Sequence, residues 1–124
     1  MKQFRDTPYY VDKEGNIYRH YPPYQWRNKR GHLKQNKPEK YSLVKGSIRI
    51  DGYLQVSINK DGVKGKYLKH RVIAEVLVSG YFEGAHVDHI DCNKQNNHPS
   101  NLQWCTKEYN HKKGNKVNYP LFAQ

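Results

Sequence analysis

The spacing of hydrophobic and polar residues changes along the chain. Between Phe4 and Tyr21 the apolar residues come in short clusters, Tyr9-Tyr10-Val11 and Ile17-Tyr18, separated by Asp12-Lys13-Glu14-Gly15-Asn16. Aromatic and β-branched clusters on either side of turn-forming residues predict a hairpin over 4–21. Residues 22–40 hold Pro22, Pro23, Gly31 and Pro38 among many Lys and Arg. That composition predicts a loop, ordered in full only against a polyanion. A two-residue period returns from 41 to 69. Ser47-Ile48-Arg49-Ile50 and Tyr53-Leu54-Gln55-Val56-Ser57-Ile58 flank Asp51-Gly52, and Asp61-Gly62 leads to Gly65-Lys66-Tyr67-Leu68. The pattern predicts a β-meander, with Arg49, Gln55, Ser57 and Asn59 sharing the face turned away from the core.

Near Lys69 the period becomes helical. Val72, Ile73, Val76 and Leu77 form one apolar stripe, and Gly80 is the expected helix stop. Residues 86–90 then read as a strand, 91–100 as a polar loop and 101–105 as a returning strand. Thr106 is placed to cap a last helix from Lys107 to about Lys113. The expected class is α+β: a basic, mainly antiparallel β-rich region over 1–68, a strand–strand–helix core over 69–113, and a tail over 114–124. There is no internal repeat and no glycine-rich phosphate loop.

Composition narrows the function. The chain has 124 residues, 35% of them hydrophobic, and 11 Tyr, which suits one small domain with a modest core. The formal net charge is +11. Residues 1–70 carry sixteen Lys and Arg against six Asp and Glu, while 71–124 carry six against five. A cationic half of this kind attracts a phosphate backbone whatever its base sequence. No apolar run approaches the ~20 residues of a membrane-spanning helix and no signal-peptide core opens the chain, so an intracellular protein without membrane association is expected. Cys92 and Cys105, without a CxxC pair, cannot build a four-thiolate zinc site. They are expected as free thiols, and no structural zinc is expected.

Candidate chemistry gathers after residue 86. Asp88 and His89 are followed by Asn101 and then Asn110. Neighbours on a strand point to opposite faces, so Asp88 and His89 cannot both ligate one ion from a flat strand. A helix packed across the hairpin would bring Asn110 towards Asp88. One carboxylate and one amide oxygen, with waters and a phosphate oxygen, suit Mg²⁺ (Mn²⁺ or another divalent ion in its place). His89, with an ordinary pKa near ~6.5, can take a proton from water near neutral pH.

The segment His86-Val87-Asp88-His89-Ile90-Asp91-Cys92-Asn93-Lys94-Gln95-Asn96-Asn97-His98-Pro99-Ser100-Asn101-Leu102-Gln103-Trp104-Cys105-Thr106 resembles the HNH endonucleases, closest to the zinc-free phage and intron-encoded, homing-type group. The preceding Lys69-His70-Arg71-Val72-Ile73-Ala74 is similar to the His-Arg helix that commonly stands before that motif. Residues 4–21 look like the small N-terminal module often found in these nucleases. The resemblance covers about 69–113. It implies a ββα-metal fold, with His89 as general base, Asp88 and Asn110 as metal ligands, and Asn101 holding the loop that positions His89 or contacting the phosphate. It also implies double-stranded DNA as substrate, with Arg27, Lys29, Arg30, Lys34, Arg49 and Arg71 on its phosphates. One metal site implies one strand cut per encounter by a monomer, and a homodimer or a larger protein partner stays open.

The chain departs from the family pattern at Cys92 in place of Gly, at Gln103 in place of a common Arg, and in having His111 beside Asn110. His70 is expected to be structural, Arg71 to pack or touch phosphate, Asn96 and Asn97 to bond the loop backbone, and Trp104 to lie in the core. The alternative reading is a nucleic-acid-binding module or assembly subunit with a vestigial site. A zinc-structured domain is disfavoured by the cysteine spacing.

Overall fold

A computed structural model of the chain describes residues 1–27, 29–31 and 33–118. It is an α+β fold of small antiparallel sheets arranged around one helix. β1 (Lys2–Gln3), β2 (Tyr9–Val11) and β3 (Ile17–Tyr21) are followed by β4 (Tyr24–Arg27) and β5 (Leu33–Lys37). Then come β6 (Lys40–Leu43), β7 (Ser47–Ile48), β8 (Leu54–Lys60) and β9 (Val63–Leu68). Helix α1 (Lys69–Leu77) leads to β10 (His86–His89), a single 3-10 turn (Pro99–Asn101), β11 (Leu102–Cys105) and helix α2 (Lys107–Asn118). One sheet has the order β1-β2-β3-β6 and another β7-β8-β9, while β4-β5 and β10-β11 are two-stranded.

The hairpin expected over 4–21 is β2–β3. Its turn is held by Asp12, whose Oδ1 accepts from the backbone N–H groups of Glu14 and Asn16, both at 2.9 Å. The meander is β7–β9, although its first predicted strand is short: Arg49 and Ile50 lie in the turn, so Arg49 does not share a strand face with Gln55. Three further expectations need correction. Residues 22–40 contain the β4–β5 hairpin, paired from Tyr24↔Lys37 to Arg27↔Leu33. Helix α1 ends at Leu77 with Val78 as its C-cap, and Gly80 (φ +95°) lies beyond that cap. Helix α2 continues through Gly114 to Asn118, since a glycine inside a helix only weakens it.

The predicted stripe on α1 faces the centre. Val72, Ile73 and Ala74 are buried, and Val76 and Leu77 pack against the same cluster. Around them lie Phe4, Tyr9, Val11 and Ile17 from the N-terminal strands, Val56 and Ile58 from β8, and Val87 and Leu102 from β10–β11. Each fully buried side chain of this kind contributes roughly 1.5–3 kcal/mol. The N-terminal strands and the β10–β11–α2 unit therefore share one core, with α1 as the element both use. Outside the core, Arg5 pairs with Glu75 of α1 through two bonds of 2.9 and 2.8 Å. That pair is largely exposed and contributes about 0–1 kcal/mol.

Candidate active site

Strand β10 presents the two central residues in the way its alternation requires. Asp88 pairs with Gln103 and His89 with Leu102 across the hairpin, and the two side chains meet different neighbours. Both are buried, Asp88 at 4% and His89 at 6% exposure. An ionisable pair is rarely buried without partners, so the partners indicate what each residue is held for.

Asp88 faces α2. Its Oδ2 accepts from Gln103 Nε2 at 2.8 Å and from the Lys113 ammonium at 2.8 Å. The same ammonium donates to the backbone carbonyls of His89 (2.9 Å) and Ile90 (3.0 Å). Burial works against the charged lysine, but Asp88 outweighs it and holds the Lys113 pKa above its ordinary value. A carboxylate and two carbonyls thus surround a cation with hard oxygen donors, the donor type that suits Mg²⁺. Asn110 is half-buried on α2 three residues before Lys113. Residues i and i+3 share a helix face, so Asn110 lies on the face that meets Asp88. His111, the neighbour that a one-residue slip would have substituted, is exposed. Among the described residues no group of three or more His, Cys, Asp or Glu is placed to hold a metal ion. A cation here relies on one carboxylate with amide and carbonyl oxygens.

His89 faces the other way. Its Nε2 lies 2.7 Å from Oδ1 of Asn97, which is itself buried. With the amide oxygen as acceptor, the neutral ring carries its proton on Nε2 and leaves Nδ1 as the basic nitrogen. The ring also packs beside other rings at tilted angles, with centroids 4.8 Å from His70 and 6.0 Å from Tyr53. Asn97 therefore orients His89 directly, a part that its place in a polar loop does not reveal.

Asn101 holds the loop between the strands. Its Oδ1 accepts from the Asp91 backbone N–H at 3.0 Å, and its Nδ2 donates to Asp91 Oδ1 (2.8 Å) and the Asn96 carbonyl (2.9 Å). Asp91 is the second organiser. The Asn96 amide, the Asn93 N–H and the Asn101 amide, in that order, hold its carboxyl below the usual carboxylate range. Cys92 sits in the left-handed region at φ +64°, the conformation its glycine-preferring position requires. The tip of the β2–β3 hairpin braces the far side of the loop. A Cβ on Gly15 would lie 2.6 Å from the Asn97 carbonyl, and Glu14 Oε2 is 3.1 Å from His98 Nε2.

His70, expected to be structural, is buried between Tyr53 and His89. Burial first, then the charges of His89 and Arg71, push its pKa down to about 3. Unfolded, His70 would titrate near ~6.5. Below that pH the unfolded chain binds a proton that the folded chain does not, so stability falls as pH falls, by about 1.4 kcal/mol per unit until the folded pKa is reached. We expect urea midpoints to drop between pH 6.5 and 5, and His70→Phe to flatten that drop. An unchanged slope in the variant would assign the acid sensitivity to other groups.

The other basic residues singled out in the sequence are peripheral. Lys29 and Arg30 are exposed in the β4–β5 turn. Arg49 is exposed and pairs with Asp51 at 3.2 Å. Arg71 is exposed with its guanidinium 6.0 Å from the Trp104 ring centre. Trp104 is half-buried against the core and donates to the Val78 carbonyl at 3.0 Å. The side chains of Arg27 and Lys34 lie outside the described ones, as do residues 119–124. Cys92 is exposed and Cys105 buried, both as free thiols. No helix among the described residues is long and apolar enough to cross a membrane.

The same segment matches known proteins. Residues 67–112 fit the family model described as HNH endonuclease. An uncharacterized HNH endonuclease of Acanthamoeba polyphaga mimivirus is 39% identical over 66% of this chain and 24% of its own length. The DNA endonuclease I-HmuI of Bacillus phage SP01 is 38% identical over 64% of this chain and 49% of its own. The chain thus spans about half or less of these curated relatives. A solved structure titled "DNA binding and cleavage by the HNH homing endonuclease I-HmuI" superposes with a TM-score of 0.71 at 28% identity, over 94% of this chain and 58% of that one. Matching sequence over 67–112, matching fold and an Asp-His pair set between two strands and a helix make this chain similar to HNH endonucleases of the phage and mobile-element type.

Proposed function

We propose that the chain is a metal-dependent endonuclease that hydrolyses phosphodiester bonds in double-stranded DNA, of the homing type carried by phages and mobile elements and acting inside a bacterial or phage-infected cell. The observation that carries this reading is the division of labour on β10: Asp88 faces a cation-holding set of oxygens, and His89, one residue on, is oriented by Asn97. The relative whose structure has this fold is described as binding and cleaving DNA.

His89 Nδ1 takes a proton from water as the water oxygen attacks phosphorus. The new P–O bond forms as the bond to the leaving oxygen breaks, and that oxygen is then protonated from solvent. Asp88 and Asn110 are the proposed protein ligands of the divalent ion, Mg²⁺ being the proposed species. When bound, the ion supplies stabilisation of the charge that builds on the phosphate and on the leaving oxygen. Asn101 keeps the 91–101 loop closed, so that Asn97 stays on the His89 ring. The β-rich region over 1–68 and Arg71 supply the phosphate contacts, with Lys29, Arg30 and Arg49 as proposed participants alongside Arg27 and Lys34. The nuclease core is 69–113.

The test is supercoiled plasmid with purified protein in Mg²⁺ or in EDTA, beside the His89→Ala variant. Nicked or linear product is expected only with metal and with His89. Metal-independent or His89-independent cutting would overturn the mechanism. A salt-sensitive gel shift without any cutting would point to a binding module with an inactive site.

A further inference from the structure

We propose that Lys113 is a resident cation that occupies the Asp88 site in the metal-free protein and must leave before a divalent ion can enter. The inference rests on the metal-dependent reading above but concerns the free protein. The side chain of Asp88 is 5% exposed, and a buried carboxylate without a positive partner is strongly unfavourable. Without a metal, some other cation has to supply that charge. Lys113 does so with a one-to-one match: an ammonium has three donors, and here they meet three oxygens, Asp88 Oδ2 and the carbonyls of His89 and Ile90, at 2.8, 2.9 and 3.0 Å.

A divalent ion on Asp88 would need the same ground, and two cations cannot share it. The lysine can move. Its side chain is 20% exposed, so the ammonium borders solvent at the end of a flexible four-carbon stem. Asn110 lies one turn earlier on the same face of α2, so α2 presents both the lysine that closes the site and the amide that would complete it. Apparent metal affinity falls by the fraction of time the site is vacated. A DNA phosphate near the site offers the displaced ammonium another partner. Lys113 thus keeps the free protein poorly metallated and ties metal uptake to the presence of DNA.

The test is Mn²⁺ titration of the full chain without DNA, with free Mn²⁺ read by electron paramagnetic resonance, for wild type, Lys113→Met and Asp88→Asn. Lys113→Met should bind Mn²⁺ about tenfold more tightly than wild type. Its melting temperature should fall in EDTA and rise further than that of wild type when Mn²⁺ is added. Equal or weaker Mn²⁺ binding by a folded Lys113→Met overturns the proposal. If the methionine variant does not fold, Lys113→Gln, which keeps donors without the charge, is compared in the same way. Equal binding by wild type and the Lys113 variant, lost in Asp88→Asn, sinks this inference and leaves the metal site intact. No uptake by any of the three sinks both. Tighter binding by Lys113→Met in a protein that never cuts DNA keeps this inference and removes the nuclease reading.

Discussion

His89→Ala should lower the rate of DNA cleavage by about 10²–10⁴-fold, the usual loss when a positioned general base is removed, while DNA binding persists. The basis is geometric. Asn97 Oδ1 lies 2.7 Å from Nε2, and an amide oxygen there favours the tautomer that leaves Nδ1 as the acceptor. The ring is held further by packing against His70, centroids 4.8 Å apart. No other described side chain in the site combines a free basic nitrogen with such support. His70 is held neutral, its pKa pushed down to about 3, but it is buried between the Tyr53 and His89 rings, and its Nδ1 has no partner there. The checks are single-turnover nicking rates in Mg²⁺, a gel shift at two salt concentrations, and a thermal melt to show that the alanine cavity has not unfolded the protein. Cleavage within about threefold of wild type would remove His89 from the mechanism, since loss of a working base costs far more.

Asn97 should carry the next largest effect. Asn97→Ala removes the acceptor that sets the His89 tautomer, and loss of such a supporting partner typically costs about 10–100-fold. The expected fall is in the cleavage rate, with DNA affinity unchanged. Asn97→Asp separates orientation from mere loop structure. A carboxylate keeps the acceptor, so most activity should survive. A negative charge beside the ring favours the imidazolium over the neutral ring. The acidic limb of the pH–rate profile should therefore move to higher pH in Asn97→Asp. A loop-packing role predicts that both variants lose activity alike, with no movement of the pH profile. The loop is well braced against such losses, by Asn101 on Asp91 and by the hairpin tip at Gly15.

Much of the architecture could be read from residue spacing. The helical stripe at Val72, Ile73, Val76 and Leu77 marks α1 because one face of that helix is buried and the other is not. The strand–loop–strand–helix order after residue 86 follows from apolar strands broken by Asn- and Asp-rich turn chemistry and a Thr106 cap, whose Oγ1 accepts from the Tyr109 N–H at 3.1 Å. The β4–β5 hairpin was hidden for the converse reason. A two-residue period shows only where apolar residues alternate with polar ones, and the 33–40 stretch is almost wholly polar. Gly80 misled because a glycine permits a helix end without imposing one.

The linear order of residues determined the residue types of the site, the strand that carries Asp88 and His89 on opposite faces, the helix that carries Asn110, and the cationic character of the first 70 residues. Those follow from local rules, since alternation along a strand and the pitch of a helix act over a few neighbours. The tertiary structure decided which side chains meet. Asn97 reaches His89 because the 91–101 loop folds back on itself. Lys113 reaches Asp88, 25 residues away, because α2 lies across β10. Gly15 touches the Asn97 carbonyl only because the N-terminal strands share a core with α1. Such contacts depend on how elements pack, and packing is settled by the burial of all the apolar faces together, which no local spacing records.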